Sequence, residues 1–402
     1  MPIIRSLLIT PLVITLLGLG TASLPSEPHL TPAASYLPRL VARGDAPTAA
    51  LLAHRASTAS YDTYRSTGPG IRRQDRFRAG SITKTFVATV VLQLAREHRL
   101  QLSDTVDRHL PGLVRGHGND GRRITLRALL THTSGLYNYT ADTDAHPITA
   151  TDAVRAAIAH RPTSTTGGFA YSNTNYVLLG LVVQHVTGHS YATEIRRRII
   201  NPLQLTGTSL PGARTELPAP HGRGYSRDPA DGSLRDVTTL DPRTAGAAGE
   251  LISTLADLNR FYAALLDGRL LPPAQLHTLL NTGTADGIYG MGIYPQRLSC
   301  GITVWGHNGH IAGSYVRTAA TRDGRHTLTF RINTDSLSDA TLEPALLDAE
   351  FCRPHQGLSG ASQPSLGPPQ IGTMSGAPSR AASAVWSSGW RCDSRSACTR
   401  FS

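Results

Sequence analysis

The residues Ser81-Ile82-Thr83-Lys84 are followed at once by a long apolar run, residues 85–95. The length and apolar character of that run predict a buried helix. A serine and a lysine three positions apart then share one face of the first helical turn, about 5–6 Å apart at Cβ. The spacing therefore brings a lysine amine within reach of a serine hydroxyl.

Lys84 is the only lysine among the 39 residues counted as lysine or arginine. Arginine cannot release its proton in a protein, whereas a desolvated lysine amine can. We therefore interpret Lys84 as a base and Ser81 as a nucleophile, with Gly80 forming the turn that leads into the helix. The alternative is an ordinary helix start with an exposed lysine, because a Ser-x-x-Lys pattern alone is weak.

The sequence has 402 residues and a formal net charge of +11. Such a charge can indicate nucleic-acid binding, but the arginines are dispersed and no aromatic residues are interleaved with them as a stacking platform requires. We therefore expect no nucleic-acid partner. The absence of a Cys-x-x-Cys pair or a His/Cys cluster predicts no metal site, and no organic cofactor is implied.

The two ends of the chain differ from the rest. Residues 1–23 combine a basic start, an apolar stretch and a small-residue exit, which predicts a secretory signal and a secreted, extracytoplasmic protein. A retained anchor is the alternative. Residues 353–402 are rich in Gly, Ser, Pro and Arg without periodicity, which predicts a disordered tail.

Between these ends the hydrophobic pattern changes twice. Strand-like segments precede Ser81, helical periodicity dominates roughly 100–245, and β patterns return from 287 to 334 before a last helix. The sequence therefore predicts a helical block inserted between two parts of one α/β unit. The predicted strands are 48–54, 75–79, 302–305, 312–320 and 327–332; the predicted helices are 105–109, 125–131, 150–160, 176–187, 192–199, 258–266 and 342–351.

Tyr171-Ser172-Asn173 comes directly before one of the predicted helices, where side chains can be presented into a cleft. A tyrosine whose pKa is lowered by a neighbouring ammonium can take a proton from a serine. The amide of Asn173 can orient a lysine and a substrate carbonyl. The alternative is a turn with a packed tyrosine.

His307-Asn308-Gly309 follows a predicted strand. Gly309 would let a substrate lie along the edge of that strand, and the backbone N–H of His310 would join that of Ser81 as a second donor to an oxyanion. The alternative is a plain hairpin turn.

Together, Ser-x-x-Lys at 81–84, Tyr-x-Asn at 171–173 and His-x-Gly at 307–309 resemble the signature of the penicillin-recognising serine hydrolases. These include secreted D-alanyl-D-alanine carboxypeptidases, class C β-lactamases, and related esterases and D-amino-acid peptidases. The resemblance runs from about residue 35 to Cys352. It includes the stretch 129–136, where His132 is interpreted as holding a helix end by hydrogen bonds instead of acting in catalysis.

The resemblance implies a role for each motif residue. Ser81 would be acylated, and Lys84 and Tyr171 would shuttle its proton. Asn173 would hold the substrate amide, and His307 would replace the lysine that is more usual in the third motif.

The resemblance also implies the fold: an α/β fold of the α+β type, in which an antiparallel sheet is flanked by helices and carries an inserted all-helical domain. The hydrolase domain would span 30–352. Cysteines placed like Cys300 and Cys352 form a bridge in the carboxypeptidase group, and Cys392 with Cys398 would be the second pair.

One departure concerns the substrate's terminal carboxylate. The carboxypeptidase group holds it with an arginine and a threonine, and the matching positions here are Tyr294 and His310. Arg297 lies three positions later. A carboxylate clamp needs a cation, and many esterase-like relatives share the His-x-Gly-His pattern.

The leading hypothesis is an exported serine-type D-alanyl-D-alanine carboxypeptidase that penicillin acylates, acting as a monomer on a small peptide or ester, with cell-wall peptides among the candidates. One alternative is an esterase or small-amide hydrolase on the same scaffold. The other is a β-lactam-binding receptor with little turnover.

Overall fold

The computed structural model describes residues 31–56, 61–68, 70–141, 149–165 and 167–352, and the two-residue antiparallel strands Trp390–Arg391 and Thr399–Arg400. The predicted signal, 1–23, lies outside these residues, as does most of the predicted tail, 353–402. Within the described part of the chain, no helix is both long and apolar enough to span a bilayer.

A six-stranded sheet forms the centre of the fold, and every neighbouring pair of strands is antiparallel. Its strands are β1 Ala49–Arg55, β2 Tyr61–Ser66, β3 Tyr294–Arg297, β4 Thr303–Ile311, β5 Ser314–Thr321 and β6 His326–Ile332. The spatial order of these strands is β2-β1-β6-β5-β4-β3. This confirms the predicted antiparallel sheet.

The helices fall into two groups along the chain. Those between β2 and β3 include the helical segments that the sequence predicted near 105, 125, 150, 176 and 192. The α-helices are α1 Leu37–Ala42, α2 Thr83–Arg96, α3 Val106–His109, α4 Leu126–Leu130, α5 Ala150–Ile158, α6 Asn173–Thr187, α7 Tyr191–Ile195, α8 Leu255–Leu266, α9 Pro273–Leu280 and α10 Leu342–Phe351.

Short elements join these parts. The paired short strands are Phe77–Arg78 with Ile252–Ser253, Arg115–Gly116 with Asn119–Asp120, and Tyr225–Arg227 with Leu234–Asp236. The 3-10 turns are Pro32–Tyr36, Gly80–Ile82, Tyr139–Ala141, Pro242–Thr244, Gly246–Ala248 and Gly283–Ala285, and Arg196–Ile200 is a π turn after α7.

The sheet separates two apolar cores. On β6 the side chains of Leu328, Phe330 and Ile332 point to the core formed with α1 and α10, because neighbouring side chains of a strand alternate between faces. The opposite face packs against the core that contains α2 and α8. Eleven of the fourteen residues of α2 are buried, as predicted for the helix behind Ser81.

Helix starts largely follow the local sequence. The Thr254 hydroxyl accepts the Asp257 N–H at 3.1 Å and caps α8. Gly80 adopts a φ of +52°, and Ser81 lies in the 3-10 turn before α2 instead of in the first α-helical turn. The prediction that Ser81 lies in the first α-helical turn was therefore wrong, although Ser81 still lies close to Lys84.

The segment His307-Asn308-Gly309 lies inside β4, which runs to Ile311 and is longer than the predicted strand 302–305. The hairpin-turn alternative for this segment is therefore wrong. The chain turns after Ile311, and Gly313 there has a φ of +74°. The Cys300–Cys352 bridge is present and ties the loop between β3 and β4 to the end of α10.

Candidate active site

Lys84 is fully buried, and its Nζ lies 3.0 Å from Ser81 Oγ. Two further oxygens surround the amine: Asn173 Oδ1 at 2.8 Å and the Ala248 carbonyl at 2.7 Å. A neutral amine has two hydrogens and one lone pair. Because the two oxygens can accept both hydrogens, the lone pair is left to face the Ser81 hydroxyl.

Burial lowers the pKa of the Lys84 amine well below its ordinary value of 10.5. The amine is therefore much more readily neutral than an exposed lysine. This is the protonation state that a base must have before it can accept the Ser81 proton.

The Tyr171 hydroxyl donates a hydrogen bond to Ser81 Oγ at 2.9 Å. Burial raises the pKa of this phenol, so Tyr171 stays protonated at neutral pH. The sequence prediction of a lowered tyrosine pKa is therefore wrong, because burial raises the pKa more than the hydrogen bond to Ser81 lowers it. Tyr171 is placed to give and relay a proton, while Lys84 is placed to take one.

Asn173 is the first residue of α6, and three contacts fix its position. Besides the bond to Lys84, its backbone N–H donates to Asn138 Oδ1 at 3.0 Å and its Nδ2 donates to Thr140 Oγ1 at 2.8 Å. Asn138 and Thr140 were not singled out from the sequence. The amide is thereby held between the lysine and an exposed turn.

The turn that carries Ser81 packs directly on the backbone of β4. A Cβ atom on Gly309 would lie 1.9 Å from the Ala79 carbonyl oxygen, and one on Gly80 would lie 2.8 Å from the His310 nitrogen. The two glycines therefore permit this approach. It places the backbone of His310 against Gly80, the residue before Ser81, and the role of the Ser81 and His310 N–H groups as oxyanion donors stays a prediction.

The edge of β4 is open where this contact occurs. β3 pairs only with residues 303–306 of β4, through the register Tyr294 to Gly306 and Arg297 to Thr303. From His307 onward the edge faces the Ser81 turn. A substrate backbone could lie along this edge.

His307 is buried, and both of its ring nitrogens are engaged within the protein. Nδ1 lies 2.5 Å from the Asn308 carbonyl and therefore donates, so Nε2 accepts from the Tyr289 hydroxyl at 2.8 Å. Burial, with smaller contributions from Lys84 and Arg317, lowers the pKa of His307 to about 3. His307 is therefore neutral and does not supply the charge of the usual lysine.

Tyr294 lies beside His307, with ring centroids 5.3 Å apart. The Arg317 guanidinium lies 4.7 Å from the centre of the Tyr294 ring, but it is buried and paired with Glu343 at 3.1 Å. Arg297 is exposed at the far end of β3. Neither arginine presents its charge to the cleft beside His307.

His132 has a φ of +57° and is buried behind Tyr171, with ring centroids 4.2 Å apart. Its Nδ1 accepts the backbone N–H of Ser172 at 3.2 Å and Nδ2 of Asn175 at 3.1 Å. It thus holds the start of α6 by hydrogen bonds, in agreement with the structural role predicted for it.

Comparison with known proteins identifies the family of this chain. The family model described as Beta-lactamase matches residues 33–349, which contain every site residue above. The chain belongs to the Beta-lactamase family. As a member of it, the chain is a serine hydrolase of the penicillin-recognising group with a β-lactamase-like fold. Within the described residues, this beta-lactamase homologue has no group of three or more His, Cys, Asp and Glu side chains that could hold a metal ion.

Two solved structures are similar to this beta-lactamase homologue over most of their length. A D-stereospecific amidohydrolase from Streptomyces sp. is 41% identical with a TM-score of 0.74, covering 80% of this chain and 98% of that chain. The D-amino acid amidase from Ochrobactrum anthropi SV3, complexed with L-phenylalanine amide, is 26% identical with a TM-score of 0.68, covering 79% and 97%.

Among curated proteins, penicillin-binding protein 4 from Amycolatopsis lactamdurans is 32% identical over 216 residues, covering 52% of this chain and 55% of that protein. The beta-lactamase homologue thus spans about half the length of the curated relatives it matches.

Proposed function

We propose that this chain hydrolyses D-aminoacyl amides and uncharged D-peptides through an acyl-enzyme on Ser81. The observation that carries the proposal is that, among the described residues, no arginine or lysine presents its charge to the cleft beside His307: Tyr294 is a phenol and the His307 ring is neutral and tied to Tyr289. A free carboxylate next to the scissile bond would find no charged partner there. The similarity to a D-stereospecific amidohydrolase supports this substrate class.

In acylation, Ser81 Oγ attacks the carbonyl carbon of the amide and its proton passes to Lys84 Nζ, 3.0 Å away. The N–H groups of Ser81 and His310 stabilise the negative oxygen that forms, an effect worth roughly 10²–10³ in rate per donor in comparable sites. The carbon–nitrogen bond then breaks. The leaving nitrogen takes the Tyr171 proton, and Lys84 then passes the proton that it took from Ser81 to the Tyr171 oxygen, so that both side chains regain their resting protonation states.

In deacylation, water attacks the ester carbonyl while Lys84 Nζ accepts its proton, and Lys84 then gives that proton to Ser81 Oγ as the bond between the acyl carbon and Oγ breaks. The acid product departs and the neutral amine is regenerated. Asn173 keeps the amine oriented in both steps, since its Oδ1 stays 2.8 Å from Nζ.

The D-alanyl-D-alanine carboxypeptidase of the sequence prediction is a narrower version of the same chemistry and stays a prediction. It requires recognition of a terminal carboxylate. Arg297 could not supply that recognition from its exposed position at the other end of β3. Export to an extracytoplasmic compartment, inferred from residues 1–23, is also part of this proposal, and secretion of the full-length chain from a bacterial host would test it.

A matched pair of substrates tests the proposal: a D-alanyl-D-alanine peptide and the same peptide with a C-terminal amide. We expect the amide to be cleaved with the higher kcat/KM, with no cleavage of the L-configured amide and none by Ser81→Ala. A tenfold or greater preference for the free acid would overturn the proposal in favour of the carboxypeptidase. Cleavage of short-chain esters without either peptide would favour the esterase.

Labelling with a fluorescent penicillin would then time the release of an acyl group. Labelling of the wild type but not of Ser81→Ala identifies Ser81 as the nucleophile. Rapid turnover of D-amides combined with slow release of penicillin excludes the receptor alternative.

A further inference from the structure

A small internal cavity away from Ser81 is lined by two arginines, Arg78 and Arg331, and by Ser314. Arg78 belongs to the short strand before the Ser81 turn, whereas Arg331 comes from β6 and Ser314 from β5. All three residues are only 3% exposed. The segment that contains Gly222 and Val237 covers the cavity.

Neither arginine has an ion-pair partner among the residues that the structure describes. Arg331 instead stacks over the Phe77 ring, 4.5 Å from its centre. Arg78 uses Nη2 to donate to the carbonyl oxygens of Thr215 at 2.5 Å and Leu240 at 3.0 Å. Arg317, the third buried arginine of the described residues, differs because it is paired with a glutamate.

Several donors in the cavity wall are left over. Nε and Nη1 of Arg78, Nε and Nη1 of Arg331, and the Ser314 hydroxyl are buried and make no hydrogen bond with any described residue. Buried donors are almost always satisfied in folded proteins. Five unsatisfied groups in the wall of one cavity indicate a bound species that accepts hydrogen bonds.

The charge around the cavity is positive and therefore also favours an anion. Asp75 attracts Arg331, and the more distant Asp241 and Glu216 attract Arg78. Of these three carboxylates only Asp75 is buried, and it already pairs with Arg72 at 3.6 Å, so the described residues leave the two buried arginines without full compensation. A buried charge without compensation is strongly unfavourable, and one further negative charge would balance the cavity.

We propose that this cavity binds a single monatomic anion of the size of chloride, held by the Nε–H and Nη1–H groups of Arg78 and Arg331 and by the Ser314 hydroxyl. The cavity is small, with a volume of about 10 Å³, which favours a monatomic anion over the larger sulfate and phosphate. A water molecule fits the four arginine N–H groups poorly, because its two hydrogens would face groups that can only donate. An anion accepts from all of them.

A titration of chloride at constant ionic strength tests the proposal on the full chain, with gluconate as the replacing anion. An anion that binds only the folded state raises Tm in proportion to its occupancy. We expect a rise of about 3 °C or more that saturates with chloride concentration. Equal Tm values in chloride and gluconate would overturn the proposal.

Arg331→Met removes one of the two arginines that line the cavity. Its Tm should not respond to chloride, and in gluconate it should equal or exceed that of the wild type, because a buried charge has been removed. The matched control is Arg317→Met, which replaces a buried arginine that already has a carboxylate partner and should keep the chloride response. An unchanged response in Arg331→Met would contradict the site.

Crystals of the wild-type chain grown in bromide give a direct answer even if a variant fails to fold. An anomalous peak within hydrogen-bond distance of Arg331 Nε supports the proposal. A water molecule in that place, with no anomalous signal, overturns it. Neither readout depends on hydrolytic activity, so the test is independent of the proposed substrate.

Discussion

In the proposed reaction Lys84 accepts the Ser81 proton and later releases it. A lysine can do this because its amine can be neutral. Lys84→Arg keeps a cation of similar reach, but a guanidinium remains protonated. We expect this variant to fold and to lose acylation of Ser81 by penicillin by a factor of at least about 10². Labelling at the wild-type rate would show that Lys84 is not the base.

Tyr171→Phe removes the hydroxyl that lies 2.9 Å from Ser81 Oγ. An amide nitrogen needs a proton to leave, whereas a nitrophenolate does not. We expect hydrolysis of D-amides to fall by about 10²–10⁴ and hydrolysis of a D-aminoacyl nitrophenyl ester to fall much less. Equal losses on both substrates would mean that Tyr171 acts on Ser81 itself and not on the leaving group.

Motif spacing at the level of single residues predicted Ser81, Lys84, Tyr171 and Asn173, because each stands in a short local pattern. Tyr289 and the Ala248 carbonyl were missed. The Tyr289 hydroxyl contacts His307, but the two residues are 18 positions apart in sequence. The Ala248 carbonyl belongs to the backbone, which leaves no signal in the sequence. The sign of the Tyr171 pKa shift was also wrong, because burial depends on the whole fold.

At the scale of elements, the contact between the Ser81 turn and β4 depends on the lack of a side chain at Gly309. Gly309→Ala would force a methyl group against the Ala79 carbonyl and push the turn away from His310. Displacements of about 1 Å at a reacting centre can cost 10²-fold in rate. We expect such a loss in the rate of penicillin acylation, with a lowered Tm.

Gly68→Ala is the control for this variant, because nothing lies within 4 Å of the added methyl group. It should leave both the acylation rate and Tm close to their wild-type values. A Gly309→Ala protein with normal acylation would show that the approach of turn and strand is not needed for catalysis.

The Cys300–Cys352 bridge joins two elements that are 52 residues apart in sequence. A loop of that length predicts a loss of about 4 kcal/mol in unfolding free energy when both cysteines become serine. Because Cys300 lies outside β4, beyond the end opposite to the Gly309 contact with the Ser81 turn, kcat/KM should not change. Urea unfolding and amide hydrolysis measured on the same preparation would check both statements.

Most elements were predictable because their apolar periodicity is local, as in α2 and β6. β2 was missed, since Tyr61–Ser66 is a polar strand at the edge of the sheet and pairs only with β1. β4 was predicted too short because His307-Asn308-Gly309 resembles a turn in sequence. Pairing with β5, which continues to Ile311, keeps this segment extended.

For the whole molecule, His307 links stability to pH. Its pKa is about 3 in the folded state and about 6.5 when exposed. The unfolded chain therefore binds the extra proton first, and stability falls as pH drops from 6.5 toward 3. The expected loss between pH 7 and pH 5 is about 2 kcal/mol from this residue, and buried His132 acts in the same direction.

Urea unfolding of His307→Asn at the two pH values would measure this contribution, and its dependence on pH should be weaker than that of the wild type. His277→Gln, at an exposed site on α9, should retain the wild-type dependence. Identical slopes for all three proteins would mean that the pKa of His307 is the same in the folded and unfolded states.

The burial of the only lysine has a practical consequence. Amine-directed reagents such as N-hydroxysuccinimide esters would meet no side-chain amine on the described surface, and Lys84 is reached only when the cleft opens. Mass spectrometry of Lys84 acetylation over time would therefore report how often the cleft opens. The acetylation rate of this single side chain would thus measure the opening of the cleft without any added probe.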